Sequence, residues 1–143
     1  MSDTDIVDAV PKEFWATIKK AAQDPDRFRN LLQKMNQGQI IRFYWTYEEL
    51  ASRITTDRHL AYVHPNLSED ELDELANWVV AQGKAYYRKI LDQPDQIPLK
   101  KNDVGLLIAV VEEYKQRFNE DIPLNLREWD NEWRQHGKSS PWA

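Results

Sequence analysis

Cysteine is missing from all 143 residues. Disulfides, zinc–thiolate sites and thiol nucleophiles are thereby excluded. No run comes near the roughly eighteen apolar residues that a membrane span requires. The opening MSDTDIVDAV has neither a basic n-region nor an apolar h-region. Export by a signal peptide is therefore not expected, and a soluble, cytoplasmic protein is. Glycine is scarce, at four residues. No Gly-rich phosphate loop, G-x-S-x-G elbow or H-E-x-x-H motif occurs, so no stretch carries a recognisable reaction. The sequence leans against an enzyme. His59 and His64 stand five apart, about 140° from each other on a helix, and do not form the i, i+4 pair of a one-helix metal site. They are expected to be ordinary surface or hydrogen-bonded histidines, and neither a metal nor a cofactor is expected.

An excess of basic residues is missing too. Net charge is −5, and it is unevenly spread. Residues 1–66 carry nine acids and nine bases, whereas residues 67–143 carry fifteen acids and ten bases. Nucleic acid calls for a basic face, so it is not an expected partner.

What is present is a globular composition, 41% hydrophobic and 30% charged, of one-domain length. The periodicity is helical throughout, with no strand alternation and no internal repeat. Residues 1–10 are expected to form a flexible leader. Pro11 suits a first helical turn, and Phe14, Trp15, Ile18 and Ala22 form the stripe that follows. Asp24-Pro25 reads as cap and N1 of a second helix with Phe28, Leu31, Leu32 and Met35 on one side. Asn36, Gln37 and Gly38 read as a turn and cap before a third helix over 39–54. The segment 55–67 admits a short helix or an extended connector.

The central stretch is SEDELDELANWVVAQGKAYYRKIL, residues 68–91. Ser68 and Glu71 predict a capping box. The acids Glu69, Asp70, Glu71, Asp73 and Glu74 fall where a helix start is partly positive. Leu72, Leu75, Ala76, Val79 and Val80 share one face, and Tyr86, Tyr87 and Ile90 continue its phase. That continuity predicts one long helix with Gly83 inside it; the rival reading makes Gly83 the stop. DQPDQIP is a loop. Asn102 and Asp103 are expected to open a helix whose buried stripe is Val104, Leu107, Ile108, Val111, Tyr114 and Phe118. Residues 125–135 are expected to form a short last helix, with Leu126, Trp129 and Trp133 packing back. The expected fold is all-α: a single-domain, antiparallel bundle-like array of about six helices. The domain spans 11–136, and 137–143 is a flexible tail.

Several of these residues carry a resemblance. Ser68, Asp70, Leu72, Leu75, Trp78 and Gly83, followed by Tyr87, Leu91, Pro94 and Asp95, are similar to the central segment of the bacterial domain-of-unknown-function family 4240. Phe14-Trp15, Asp24-Pro25, a Glu-x-Tyr near Tyr114 and Trp129-Asp130 extend the likeness over most of the chain. Before Ser68 the chain departs: relatives carry aromatic and Gly-Gly-Cys residues there, and this chain has HLAYVHPNL. The resemblance implies a compact, soluble, bacterial helical domain and lends it no activity.

Two functional expectations follow. One is a non-enzymatic protein-interaction or regulatory module, immunity-like in its use of charge. Its acidic face, Glu69, Asp70, Asp73 and Glu74, would meet a basic surface on a protein partner. The other is a small enzyme or ligand binder with an aromatic pocket lined by Trp45, Tyr47, His64, Trp78 and Tyr87.

Overall fold

The computed structural model describes residues 5–123. Its elements begin where local chemistry starts and stops a helix. A short helix α1 (Asp5–Ala9) lies within the expected leader. It is tied down: Val7 is fully buried, and Asp8 pairs with Lys84 and Arg88. Helix α2 (Lys12–Gln23) follows Pro11 and buries Phe14, Trp15, Thr17, Ile18 and Ala21. Ala21 thus takes the inward place expected of Ala22. Helix α3 (Pro25–Lys34) starts as anticipated, the Asp24 carboxylate accepting from the Asp26 N–H at 3.0 Å.

Helix α4 (Gln37–Ser52) begins two residues before the expected start. Asn36 is its cap and Gln39 closes a capping box: each side chain accepts from the other's N–H, at 2.8 and 2.9 Å. Gly38 is consequently inside the helix and buried instead of belonging to a turn. Of the two readings for 55–67, the structure takes the helical one in part, with α5 (Asp57–Leu60).

Helix α6 (Glu69–Ala81) has the predicted box, with the Glu71 N–H donating to Ser68 Oγ at 3.1 Å and the Ser68 N–H to Glu71 Oε1 at 3.3 Å. It does not continue through Gly83. That residue has φ +105° and ψ 174°, a region essentially closed to other residues. Its N–H donates back to the Val80 carbonyl, and its own carbonyl accepts from Tyr87 to start helix α7 (Lys84–Asp92). The apolar phase survives the break because both helices lie on one core; the buried face dictates the phase, and helix continuity does not. A Cβ at Gly83 would meet nothing within 4 Å, so close backbone approach is not its role either.

A single 3-10 turn (Pro94–Gln96) precedes the last described helix, α8 (Leu106–Phe118). Asp103 accepts from the Gly105 N–H at 2.9 Å, and Gly105 turns the chain with φ +84°. The helix therefore starts later than expected and is rotated. Leu106, Leu107, Val110 and Tyr114 are buried, whereas Val104, Ile108 and Val111 are exposed. An apolar arc this wide leaves the choice of face to its neighbours. Tyr114 is fixed by Gln37 of α4 at 2.9 Å, and Arg117 by main-chain carbonyls of Leu32 and Met35.

The fold is an all-α single domain with a bundle-like arrangement. Helix α4 lies at the centre against α6 and α8, and α2 packs on α3 and α6. Phe14, Phe28, Phe43 and Tyr47 form a continuous ring cluster in the core, with Trp15 against both Phe14 and Tyr87. No helix of the described residues is long and apolar enough to cross a membrane. The expected helix over 125–135 lies outside the described residues.

Candidate functional site

The start of α6 presents Glu69, Asp70, Asp73 and Glu74 to solvent. Glu71 points elsewhere. It caps Ser68 and forms a 2.7 Å ion pair with Lys100, whose hydrogen bond, with those from Ser68, brings its carboxyl down to about 2. The remaining acids gain a neighbour that the sequence did not reveal. Glu48, half-buried on α4, has its carboxyl raised first by burial and then by the charge of Asp73. Asp73 is itself raised, by burial and then by Asp70 and Glu69. The charge of Asp73 on α6 thus opposes ionisation of a carboxylate on α4, the helix packed against it. The sequence signal for Glu48 was nil, because α4 and α6 meet only through tertiary packing.

The five aromatic-pocket residues take different settings. Tyr47 and Tyr87 are fully buried, and their hydroxyls donate to the main-chain carbonyls of Asn77 and Leu50, each at 2.6 Å. Trp45 is half-buried and donates to the Pro123 carbonyl at 2.9 Å. Trp78 is half-buried, edge-on to Tyr86, with Lys101 Nζ 4.9 Å from its ring centre. His64 is exposed, and its Nδ1 accepts from the Asn66 N–H. His59 is buried between Thr56 Oγ1 and the Ile90 carbonyl, the structural role expected of it.

Two clefts lie elsewhere. One, of about 600 Å3, separates α2 from the α6–α7 junction and touches Trp15, Lys19, Gly83 and Lys84. The other, of about 500 Å3, runs between α2, α3 and the start of α8 past Phe28, Arg29 and Gly105. Neither is lined by a carboxylate or an imidazole, so neither offers a side chain suited to general acid–base work near neutral pH. Among the described residues, no three His, Asp or Glu side chains are grouped to hold a metal ion.

No curated protein and no solved structure matches the chain. A family model does, over residues 11–124, and its span stops short of the Trp129-Asp130 pair. By that match, which covers most of its length, the chain belongs to the family described as a protein of unknown function (DUF4240).

Proposed function

We propose that this chain is a non-enzymatic protein-interaction module of the bacterial cytoplasm, regulatory and immunity-like in its use of charge. Its acidic face takes the basic surface of a protein partner. The observation that carries this reading is the exposed set Glu69, Asp70, Asp73 and Glu74 on α6, packed against α4, where the charge of Asp73 reaches Glu48 and raises its carboxyl further after burial. Helix-dipole stabilisation accounts for one or two acids in a first turn, at about 0.3–1 kcal/mol each. It does not account for a further carboxylate brought up from another helix. Such a surface is costly when bare and gains when a cation approaches, which gives complementary charge its value in partner choice.

The experiment is a capture from the source cell with the wild-type chain and with Glu69→Lys, Asp73→Lys and Glu74→Lys combined. Ser68 and Glu71 still cap α6 in that variant, so the fold should survive, as circular dichroism can verify. Loss of a basic partner from the folded variant is the expected result. An unchanged set of captured proteins would reduce the cluster to a solvated helix end.

A further inference from the structure

Trp15 is only 8% exposed, and its indole N–H has no acceptor among the described residues. A donor shut from water and left unpaired is costly to a fold, and such groups are rare. Phe14 and Tyr87 cover the ring from the core, at 5.1 and 5.8 Å between ring centres. Its exposed remainder lines the cleft of about 600 Å3 between α2 and the α6–α7 junction. That cleft is the side from which an acceptor can arrive.

Across the cleft from Trp15 stands the start of α7, as Gly83, Lys84 and Ala85. The first N–H groups of a helix have no partner inside it, and Gly83 brings no side chain to cap them. A Cβ at Gly83 would meet nothing within 4 Å, so this turn faces open space. The helix it opens is nine residues long, and the aligned peptide dipoles favour negative charge at this end. Cations stand on both walls. Lys19 is exposed one turn after Trp15, on the same face of α2. Lys84 lies 3.6 Å from Asp8, which has Arg88 as a closer partner, so its ammonium can exchange that contact for one in the cleft. No carboxylate is among the lining residues.

We propose that this cleft binds a small carboxylate with an apolar body. The carboxylate takes the N–H groups that open α7, the ammonium groups of Lys19 and Lys84 neutralise it, and one oxygen accepts from the Trp15 indole N–H. Trp15, Ala16, Ile18, Ala22, Ala81 and Ala85 make up most of the lining, which suits a hydrocarbon body and not a bare phosphate. The site is separate from the acidic face, since Glu69 and Ala81 are the two ends of α6, about 18 Å apart. A small anion and a basic partner can therefore be held at the same time.

The test is an NMR titration of the isotope-labelled chain with hexanoate at constant ionic strength. The indole N–H of Trp15 and the amides of Lys84 and Ala85 should shift together and saturate. The indole proton should move downfield as it gains a charged acceptor. Lys19→Gln combined with Lys84→Gln alters exposed side chains only, and should raise Kd about 2–30-fold. Lys34→Gln, outside the lining, should leave Kd unchanged. Hexanol, which carries no charge, should not reproduce the shifts. The absence of a saturable shift by about 20 mM hexanoate, the weak end for a ligand of this size, overturns the proposal. So does an unchanged Kd in the double variant, or a Trp15 signal that stays still while Lys84 and Ala85 move. Equal shifts from inorganic phosphate would reduce the site to an unselective anion at a helix end, and overturn it as well.

Discussion

Lys100 Nζ lies 2.7 Å from Glu71 Oε2, which gives Glu71, alone of the five acids at the start of α6 and among the described residues, an ion-pair partner. Its carboxyl is held at about 2, well below its ordinary value of about 4.3. A folded-state value below the unfolded one means that the unfolded chain takes up the proton first. The resulting stability is present above about pH 4.3 and is lost as pH falls through about 2. Urea midpoints of the wild type and Glu71→Gln should therefore differ at neutral pH and draw together over that window. A gap that does not change with pH would show that the pair does not matter to folding.

Gly83 should resist substitution because of its backbone and not because of crowding. At φ +105° and ψ 174° an L-residue is strained by about 1–3 kcal/mol, and a Cβ would meet nothing within 4 Å. Gly83→Ala and Gly83→Ser should thus lower the melting midpoint by similar amounts. A cost that climbs from Ala to the larger Ser would point to overpacking instead, and a stabilised Ala variant would contradict the break between α6 and α7.

The Tyr87 hydroxyl joins α7 to the Leu50 carbonyl inside the core. Tyr87→Phe keeps the packing and removes that hydrogen bond, so the loss should be about 0.5–1.5 kcal/mol in chemical denaturation. Partner capture should be unaffected. A Phe variant that folds normally yet loses its partner would move Tyr87 from the core to the binding function.

What the sequence disclosed was local. Ser68 with Glu71 and Asp24 with Pro25 are start signals whose parts lie within three residues, and both work as read. Gly38 was misplaced because Asn36 and Gln39 form a box two residues earlier than the apolar pattern begins. The rotation of α8 escaped notice because Val104, Ile108 and Val111 are as apolar as Leu106 and Val110; only Gln37 and the α3 carbonyls choose between the faces. Glu48 could not be found at all from local pattern. Its significance comes from Asp73, on a helix that begins seventeen residues after α4 ends.

That pairing also supplies the most direct test of the proposed acidic face, because Glu48 lies outside the run of acids that a charge-reversal variant would alter. The raised carboxyl is a small cost to the free protein at neutral pH, so Glu48→Gln should leave stability within about 0.5 kcal/mol of the wild type or slightly above it. The measurement is the affinity of this variant for the captured basic partner, taken at several salt concentrations. Loss of one cross-interface charge pair should weaken binding about 1.4–5-fold at low salt, equivalent to about 0.2–1 kcal/mol, with the difference shrinking as salt rises. Affinity that is unchanged, with the same salt dependence as the wild type, would contradict docking on the acidic surface that includes Glu48 and Asp73.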